Sequence, residues 1–244
     1  MGTSKAEKPF DFKQFSIQQD CCAMKVGTDG ILLGAWAPTT HSSTILDIGT
    51  GTGLIAIMLA QRTVRATIHA VEVEEAAYLE ATHNIAACPW SERLLAFHAA
   101  IQDFDLPSSI SQGYDLIVSN PPFFSGGTFS FNQDRNSVRH TVKLPHSDLL
   151  RAVRQLLNEK GKFCTILPLI EGLRFQELAE SYKLYCTRQV EVKPRPSKPT
   201  ARLLLTFGKE KQPIKKEVLI LQEEDSNLRM PAYKALTEAF YLNP

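Results

Sequence analysis

The segment Asn120-Pro121-Pro122-Phe123 closes an apolar run, Tyr114-Asp115-Leu116-Ile117-Val118-Ser119, that reads as a strand. These residue types suit one chemical task. An exocyclic amine on an aromatic ring is a poor nucleophile, because its lone pair is conjugated into the ring. Two acceptors aimed at its hydrogens favour the pyramidal nitrogen and free the lone pair as the transition state forms. The Asn120 side-chain oxygen supplies one acceptor, and the Pro121 carbonyl the other. Both prolines fix φ and donate no hydrogen bond, so the corner is stiff. Phe123 offers an aromatic face for a base that has left its helix. The competing reading is a plain strand-ending turn, since Asn-Pro is a common breaker. A glycine-rich turn upstream weighs against it.

That turn is Leu46-Asp47-Ile48-Gly49-Thr50-Gly51-Thr52-Gly53, which follows a strand-like run and opens an apolar helix. Gly49, Gly51 and Gly53 let the backbone turn sharply and approach a ligand closely. Glu72 lies about twenty residues on, at the end of the next strand, where a carboxylate bonds ribose hydroxyls. A dinucleotide-binding reading of the turn stays open. Three features favour S-adenosylmethionine over NAD. Asp47, two residues before the first glycine, suits a cationic amino group and would oppose a pyrophosphate. Asp103, in Gln102-Asp103-Phe104, is placed to accept from an adenine amino group, although a surface carboxylate is the commoner role for such a residue taken alone. The corner at Asn120 handles a nitrogen, for which hydride transfer has no use. S-adenosylmethionine carries an ammonium, a ribose and an adenine, and no phosphate.

The elements needed to position these groups are legible along the 244 residues. The first dozen residues read as a tail, and 28–36 as a short helix. Strands are expected over 44–48, 67–73, 94–99, 114–119 and 162–167, with helices over 54–61, 74–87, 147–158 and 171–182. Gly161 is read as lying just past the end of the third of the longer helices. Strands over 185–192 and 201–207 close the sheet, a further strand over 218–222 is an option, and a last helix covers 231–241. Strands alternating with helices predict a doubly wound, mainly parallel sheet of seven strands in one α/β domain. Segment 124–145 has no periodicity and reads as a mobile loop beside the site.

Hydrophobic residues make up 43% and charged residues 22% of the chain, ordinary for a globular domain, and a net charge of +1 does not announce a nucleic-acid partner. The five cysteines show no metal or redox spacing and are expected to be reduced. No metal site is expected. No apolar run is long enough to span a membrane and no signal-peptide core precedes the domain, so a cytoplasmic protein is expected.

Within this frame the chain resembles the class I S-adenosylmethionine-dependent methyltransferases. It is most similar to a bacterial family of tRNA adenine-N6 methyltransferases that modifies the adenosine 3′ of the anticodon in a valine tRNA. The residues that carry the resemblance are Phe12-Lys13-Gln14-Phe15, Gln19-Asp20, the block from Cys22 to Trp36, the glycine turn, the Asn-Pro-Pro-Phe corner and Ala201-Arg202-Leu203-Leu204. By position, the resemblance implies that Asp47, Gly49 and Gly51 contact the methionine end, Glu72 the ribose, and Asp103 with Phe104 the adenine. Lys25 and Thr28 lie on the block that covers the cofactor. Asn120 and the Pro121 carbonyl hold the target N6, and Phe123 stacks on the base.

From 188 to 216 there are nine Lys or Arg against two acids, Glu191 and Glu210. Lys193, Arg195, Lys198 and Arg202 fall in the Pro-rich part, which reads as a stiff, extended basic strip suited to a phosphate backbone. Arg135 and Arg139 in the 124–145 loop add to it. The plainer reading is a solvated connector. Beside the tRNA assignment stand three alternatives: a protein-glutamine N5 or an rRNA guanine N2 methyltransferase, and a non-catalytic binding protein on the same fold.

Overall fold

Strand β3 (Thr44–Ile48) is buried at every position after its first residue, as expected of a strand covered by helices on both faces. The computed structural model describes residues 8–22, 24–122 and 144–242. A hairpin of β1 (Phe10–Asp11) and β2 (Ser16–Ile17) precedes helix α1 (Thr28–Trp36). After β3 the chain alternates through α2 (Leu54–Arg62), β4 (Thr67–Glu72), α3 (Glu75–Ala87), β5 (Leu94–His98) and β6 (Tyr114–Ser119). It resumes with α4 (His146–Leu156), β7 (Leu157–Pro168), α5 (Leu169–Ser181), β8 (Tyr185–Lys193), β9 (Arg202–Gly208), β10 (Lys215–Ile220) and α6 (Pro231–Thr237).

The main sheet runs β10-β8-β9-β7-β6-β3-β4-β5. Its pairings are parallel except those of β9 with β7 and β8. One apolar layer packs α1, α2, α3 and α6 against one face, and a second packs α4 and α5 against the other. This is the doubly wound α/β arrangement expected. Strand order reverses direction at β3 and β6, so the crevice at their carboxyl ends is where such sheets bind ligands.

Four expectations need correction. The sheet has eight strands rather than seven. The eighth, β10, is fixed by Arg188 of β8, which donates Nε and Nη2 to the two oxygens of Glu217 at 3.0 and 2.9 Å, a bidentate pair. The first dozen residues are not all tail. Phe12, Phe15 and Ile17 are buried, and the Lys13 amide donates to the Phe240 carbonyl at 2.8 Å. Gly161 does not end a helix but lies inside β7. A Cβ there would sit 2.7 Å from the Tyr114 carbonyl oxygen, so only glycine lets β7 lie so close to β6. Finally, 194–200 is not an extended strip. It is a turn that joins two antiparallel strands, closed by the Lys198 amide on the Arg195 carbonyl at 3.1 Å.

Two arginines finish helices whose last carbonyls would otherwise be orphaned. Arg62 donates Nη1 to the carbonyls of Gly34 and Ala37 at 2.8 and 2.7 Å. Arg93 reaches those of Ala60, Thr63 and Ala66 at 2.7 to 2.9 Å. On the site side, α3 holds the segment 18–22 across the glycine turn. Glu80 is buried and accepts from the amides of Cys21 and Cys22, both at 2.9 Å. Asn84, also buried, accepts from the Gln18 amide and donates to the carbonyls of Gln18 and Thr52, each at 2.9 Å. Asn84→Ala leaves these partners unpaired and is expected to cost about 1–3 kcal/mol in denaturant unfolding. It should also weaken cofactor binding measured by calorimetry, since Thr52 belongs to the turn. A variant as stable as the parent would show the contacts to be dispensable.

Candidate functional site

Asp47 and Val118 face each other across β3 and β6, so the glycine turn and the Asn-Pro-Pro corner leave the sheet side by side. The Ser119 hydroxyl donates to the Ile48 carbonyl at 2.8 Å and locks the two ends together. The amides of Gly49 and Thr50 donate to the Val71 carbonyl at 2.9 and 3.1 Å, tying the turn to β4. Gly49, Gly51 and Gly53 all have positive φ, at 69°, 56° and 82°, a region other residues enter only with strain. A Cβ on Gly49 would meet nothing within 4 Å: open space for a ligand lies over that glycine.

The cavity there has a volume of about 330 Å³. The 24–30 block, the turn from Gly49 to Thr52, Leu54, Ile55, Asn120 and Arg202 line it. Lys25 and Thr28 are on its wall, and both are exposed. Met24, Val26, Asp29 and the two threonines of the turn also line it, and sequence reasoning had singled out none of them. A signal for Thr50 was present: a hydroxyl three residues after an acid can bond it. The Thr50 hydroxyl donates to Asp47 Oδ2 at 2.6 Å.

Asp47 is fully buried, and its other oxygen, Oδ1, has no hydrogen-bond partner among the described residues. Burial raises its pKa from 3.8 to about 7, with a contribution from the negative charge of Glu72, against the Thr50 and backbone hydrogen bonds that lower it. An unpartnered buried carboxylate oxygen is what a ligand ammonium would satisfy. Glu72, buried at the end of β4, takes the Gly51 amide on Oε2 and the Val73 and Glu74 amides on Oε1, at 2.9 to 3.0 Å. Three of about four lone pairs of a carboxylate are then used.

Asn120 Oδ1 is likewise buried without a hydrogen-bond partner among the described residues, and Pro121 is buried beside it. Asp103 is exposed, in the short 3-10 turn Ile101–Asp103 beyond β5, and is not among the cavity-lining residues. The Phe104 ring is in the core, edge-on to Phe97 with centroids 5.2 Å apart, and it too is not among the cavity-lining residues. Phe123, Arg135, Arg139 and nearly all of the 124–145 loop lie outside the described residues.

The basic residues separate. Arg195 donates Nη1 to the carbonyls of Glu223, Glu224 and Ser226 at 2.7 to 2.8 Å and Nη2 to Asn227 at 3.1 Å. It is a loop anchor, which corrects its place in an open strip. Lys193 is half-buried and Lys198 exposed. Arg202 is in the cavity wall, its Nε 2.8 Å from Asp29 Oδ2. No cluster of three or more His, Cys, Asp or Glu suited to a metal occurs among the described residues. The five cysteines are free thiols, of which Cys21 alone is exposed. None of the described helices is long and apolar enough to cross a membrane.

Sheet order, the glycine turn, the carboxylate at the end of β4 and the Asn-Pro-Pro corner at the end of β6 are the arrangement of a class I S-adenosylmethionine-dependent methyltransferase. The family model of the methyltransferase small domain matches residues 24–167. A tRNA1(Val) (adenine(37)-N6)-methyltransferase of Flavobacterium psychrophilum is 44% identical over 96% of this chain and 99% of its own length. One from Pasteurella multocida is 43% identical over 98% and 99%. The chain belongs to this family of tRNA1(Val) (adenine(37)-N6)-methyltransferases. Among solved structures, a predicted O-methyltransferase from Agrobacterium tumefaciens shares the fold, with a TM-score of 0.66 at 16% identity over 87% of this chain and 96% of that one.

The Asp47 carboxyl sets a pH dependence. Its folded pKa is raised, so the unfolded chain loses the proton first, and the ligand-free protein should lose stability as pH rises from about 4 through about 7. If Asp47 is the partner of a ligand ammonium, binding needs the ionised acid and a protonated ligand amine. Affinity should therefore rise through about pH 7 and fall again above about 8, the ordinary range of an α-amino group. Asp47→Asn should abolish the acid limb. Calorimetric titrations across this range check it, and an acid limb unchanged in the variant would remove Asp47 from cation binding.

Proposed function

We propose that this protein methylates N6 of the adenosine 3′ of the anticodon, position 37, in tRNA1(Val). Bound S-adenosylmethionine supplies an electrophilic methyl group on sulfur, which leaves as a neutral thioether when the N6 lone pair attacks. The observation that carries the reading is the buried Asn120 Oδ1, which has no hydrogen-bond partner among the described residues, in the cavity wall at the end of β6. In this role it accepts one N6 hydrogen, and the Pro121 carbonyl accepts the other. Both acceptors gain strength as the amine becomes cationic in the transition state, so the corner stabilises that state more than the ground state. The amine proton then passes to solvent. Phe123 stacks on the flipped base.

Asp47 takes the cofactor ammonium, Glu72 its ribose and Asp103 its adenine amino group. The turn at Gly49 and Gly51 gives close backbone approach, and Lys25 and Thr28 close the cavity over the methionine carboxylate. Lys193 and Lys198 stand at the same sheet edge, because β8 runs parallel to β6 and β7 and ends there. With Arg135, Arg139 and Arg202 they supply the cations for a phosphate backbone. A tRNA-modifying enzyme with this substrate works in the cytoplasm.

The test is direct. The protein is incubated with S-adenosylmethionine and unmodified tRNA, and the digest is searched for N6-methyladenosine by mass spectrometry. Asn120→Ala should lower turnover by about two to three orders of magnitude with cofactor affinity unchanged. Near-parental turnover in that variant would reduce the corner to a structural turn. Transfer to a protein glutamine instead of tRNA would replace the substrate.

A further inference from the structure

We infer that a second cavity, at the end of the sheet opposite the cofactor turn, is a binding site for a phosphate group. It has a volume of about 280 Å³ and lies between the loops that follow α1 and α2. Thr39, Thr40, Ser42 and Ser43 line it from the first loop, and Arg62 and Arg65 from the end of α2 and the loop beyond. No acid is among the lining residues. Both loops lead into the amino ends of strands, Thr44 of β3 and Thr67 of β4, whereas the glycine turn leaves the carboxyl end of β3. The length of β3 keeps the two sites roughly 16 Å apart. Methyl transfer has no use for a group at that distance, so the reaction leaves this cavity unexplained.

The donors stand on a fixed frame. The Ser42 amide closes a turn on the Thr39 carbonyl at 3.1 Å, and the Thr67 amide ties the loop to β4 through the Ser43 carbonyl at 2.9 Å. Thr39 and Ser42 are half-buried, Thr40 and Ser43 exposed. Their four hydroxyls have no hydrogen-bond partner among the described residues. Arg62 spends one nitrogen, Nη1, on the Gly34 and Ala37 carbonyls and keeps Nε and Nη2. Arg65 is exposed and pairs with no acid among the described residues. Hydroxyls beside guanidinium groups suit a tetrahedral oxyanion, which offers only acceptors. The charge balance points the same way. Two helices end here, each with about half a negative charge at its C-terminus. Asp115 brings one carboxylate near, but its oxygens take the amides of Ser43 and Thr44 and the side chain of Asn158. Against these stand Arg62, Arg65 and Arg93, the last on the carbonyls of Ala60, Thr63 and Ala66. Three full positive charges outweigh one negative charge and two halves. Capping of helix ends accounts for Arg62 and Arg93, but not for Arg65 or for four hydroxyls turned to one cavity.

The probe is inorganic phosphate, titrated into the full chain by calorimetry and followed by thermal melting, with sodium chloride at equal ionic strength as the control. Phosphate at ten times its Kd should raise Tm by about 3–6 °C, and chloride should not. Arg65→Gln should weaken phosphate binding about tenfold, the effect of one charge-assisted hydrogen bond. Thr40→Val combined with Ser42→Ala leaves the charge untouched and should weaken binding about fivefold or more through the lost hydroxyls. Melting in chloride confirms that both variants fold. Arg62 is left intact, because it also caps α1. No Tm rise beyond that of chloride in the parent, or parental phosphate affinity in either variant, would overturn the site. The source of the phosphate is then read from binding of the anticodon stem-loop RNA at several salt concentrations. Equal slopes of log affinity against log salt in the parent and Arg65→Gln make the ligand a free phosphate or a phosphorylated small molecule. A slope flattened by about 0.7 in the variant, one contact, makes it a phosphate of the RNA backbone.

Discussion

The parallel pairing of β3 with β6 governs this molecule. It sets Asp47 level with Val118, and two residues later the chain reaches Asn120. An acid and an amide, each with one buried oxygen that has no hydrogen-bond partner among the described residues, therefore share one sheet edge. Each is costly when buried alone. The surrounding structure bears that cost through the Ser119 and Val71 contacts that hold both ends in place. Catalytic sites that keep such polar atoms waiting for a ligand are preorganised: the protein is strained toward the complex and not toward itself.

Around that edge, the elements form in two ways. The central strands are specified by predominantly apolar runs, as in β3 and β6, since helices cover both faces of the sheet. The helix ends are specified at long range, by Arg62 and Arg93 reaching carbonyls of helices other than their own neighbours in sequence. The segment 18–22 is likewise held by Glu80 and Asn84, about sixty residues on. The cofactor turn is thus roofed by one end of the chain and floored by the sheet.

Much of this was legible in the sequence. The helix 28–36 and the strands 44–48 and 114–119 follow from apolar runs bounded by turn residues, and the glycine turn, Glu72 and Asn120 announce themselves by residue type and spacing. What was not legible depends on contacts between distant residues. The early phenylalanines look like a tail until Phe240 and α6 come to meet them. Gly161 looks like a helix stop until the Tyr114 carbonyl is found pressed against it. The basic strip looked like one unit because its residues are adjacent in sequence. In space, Arg195 turns to the 223–227 loop and Arg202 to Asp29, so charge counted along a chain says little about charge presented on a surface.

The meeting of the early hairpin with the segment after α6 has a further meaning for how the protein is made. Lys13 bonds the carbonyls of Glu238 and Phe240, contacts spanning more than nine-tenths of the chain. During synthesis at about 5–20 residues per second, the sheet strands β3 to β6 are complete long before those partners exist. Phe12 and Phe15 must then wait in water, or against provisional neighbours, until the last helix arrives. The hairpin that leads into the roof of the cofactor turn is among the first parts translated and among the last to find its place. The contact that closes this part of the fold therefore forms only after Phe240 has been made.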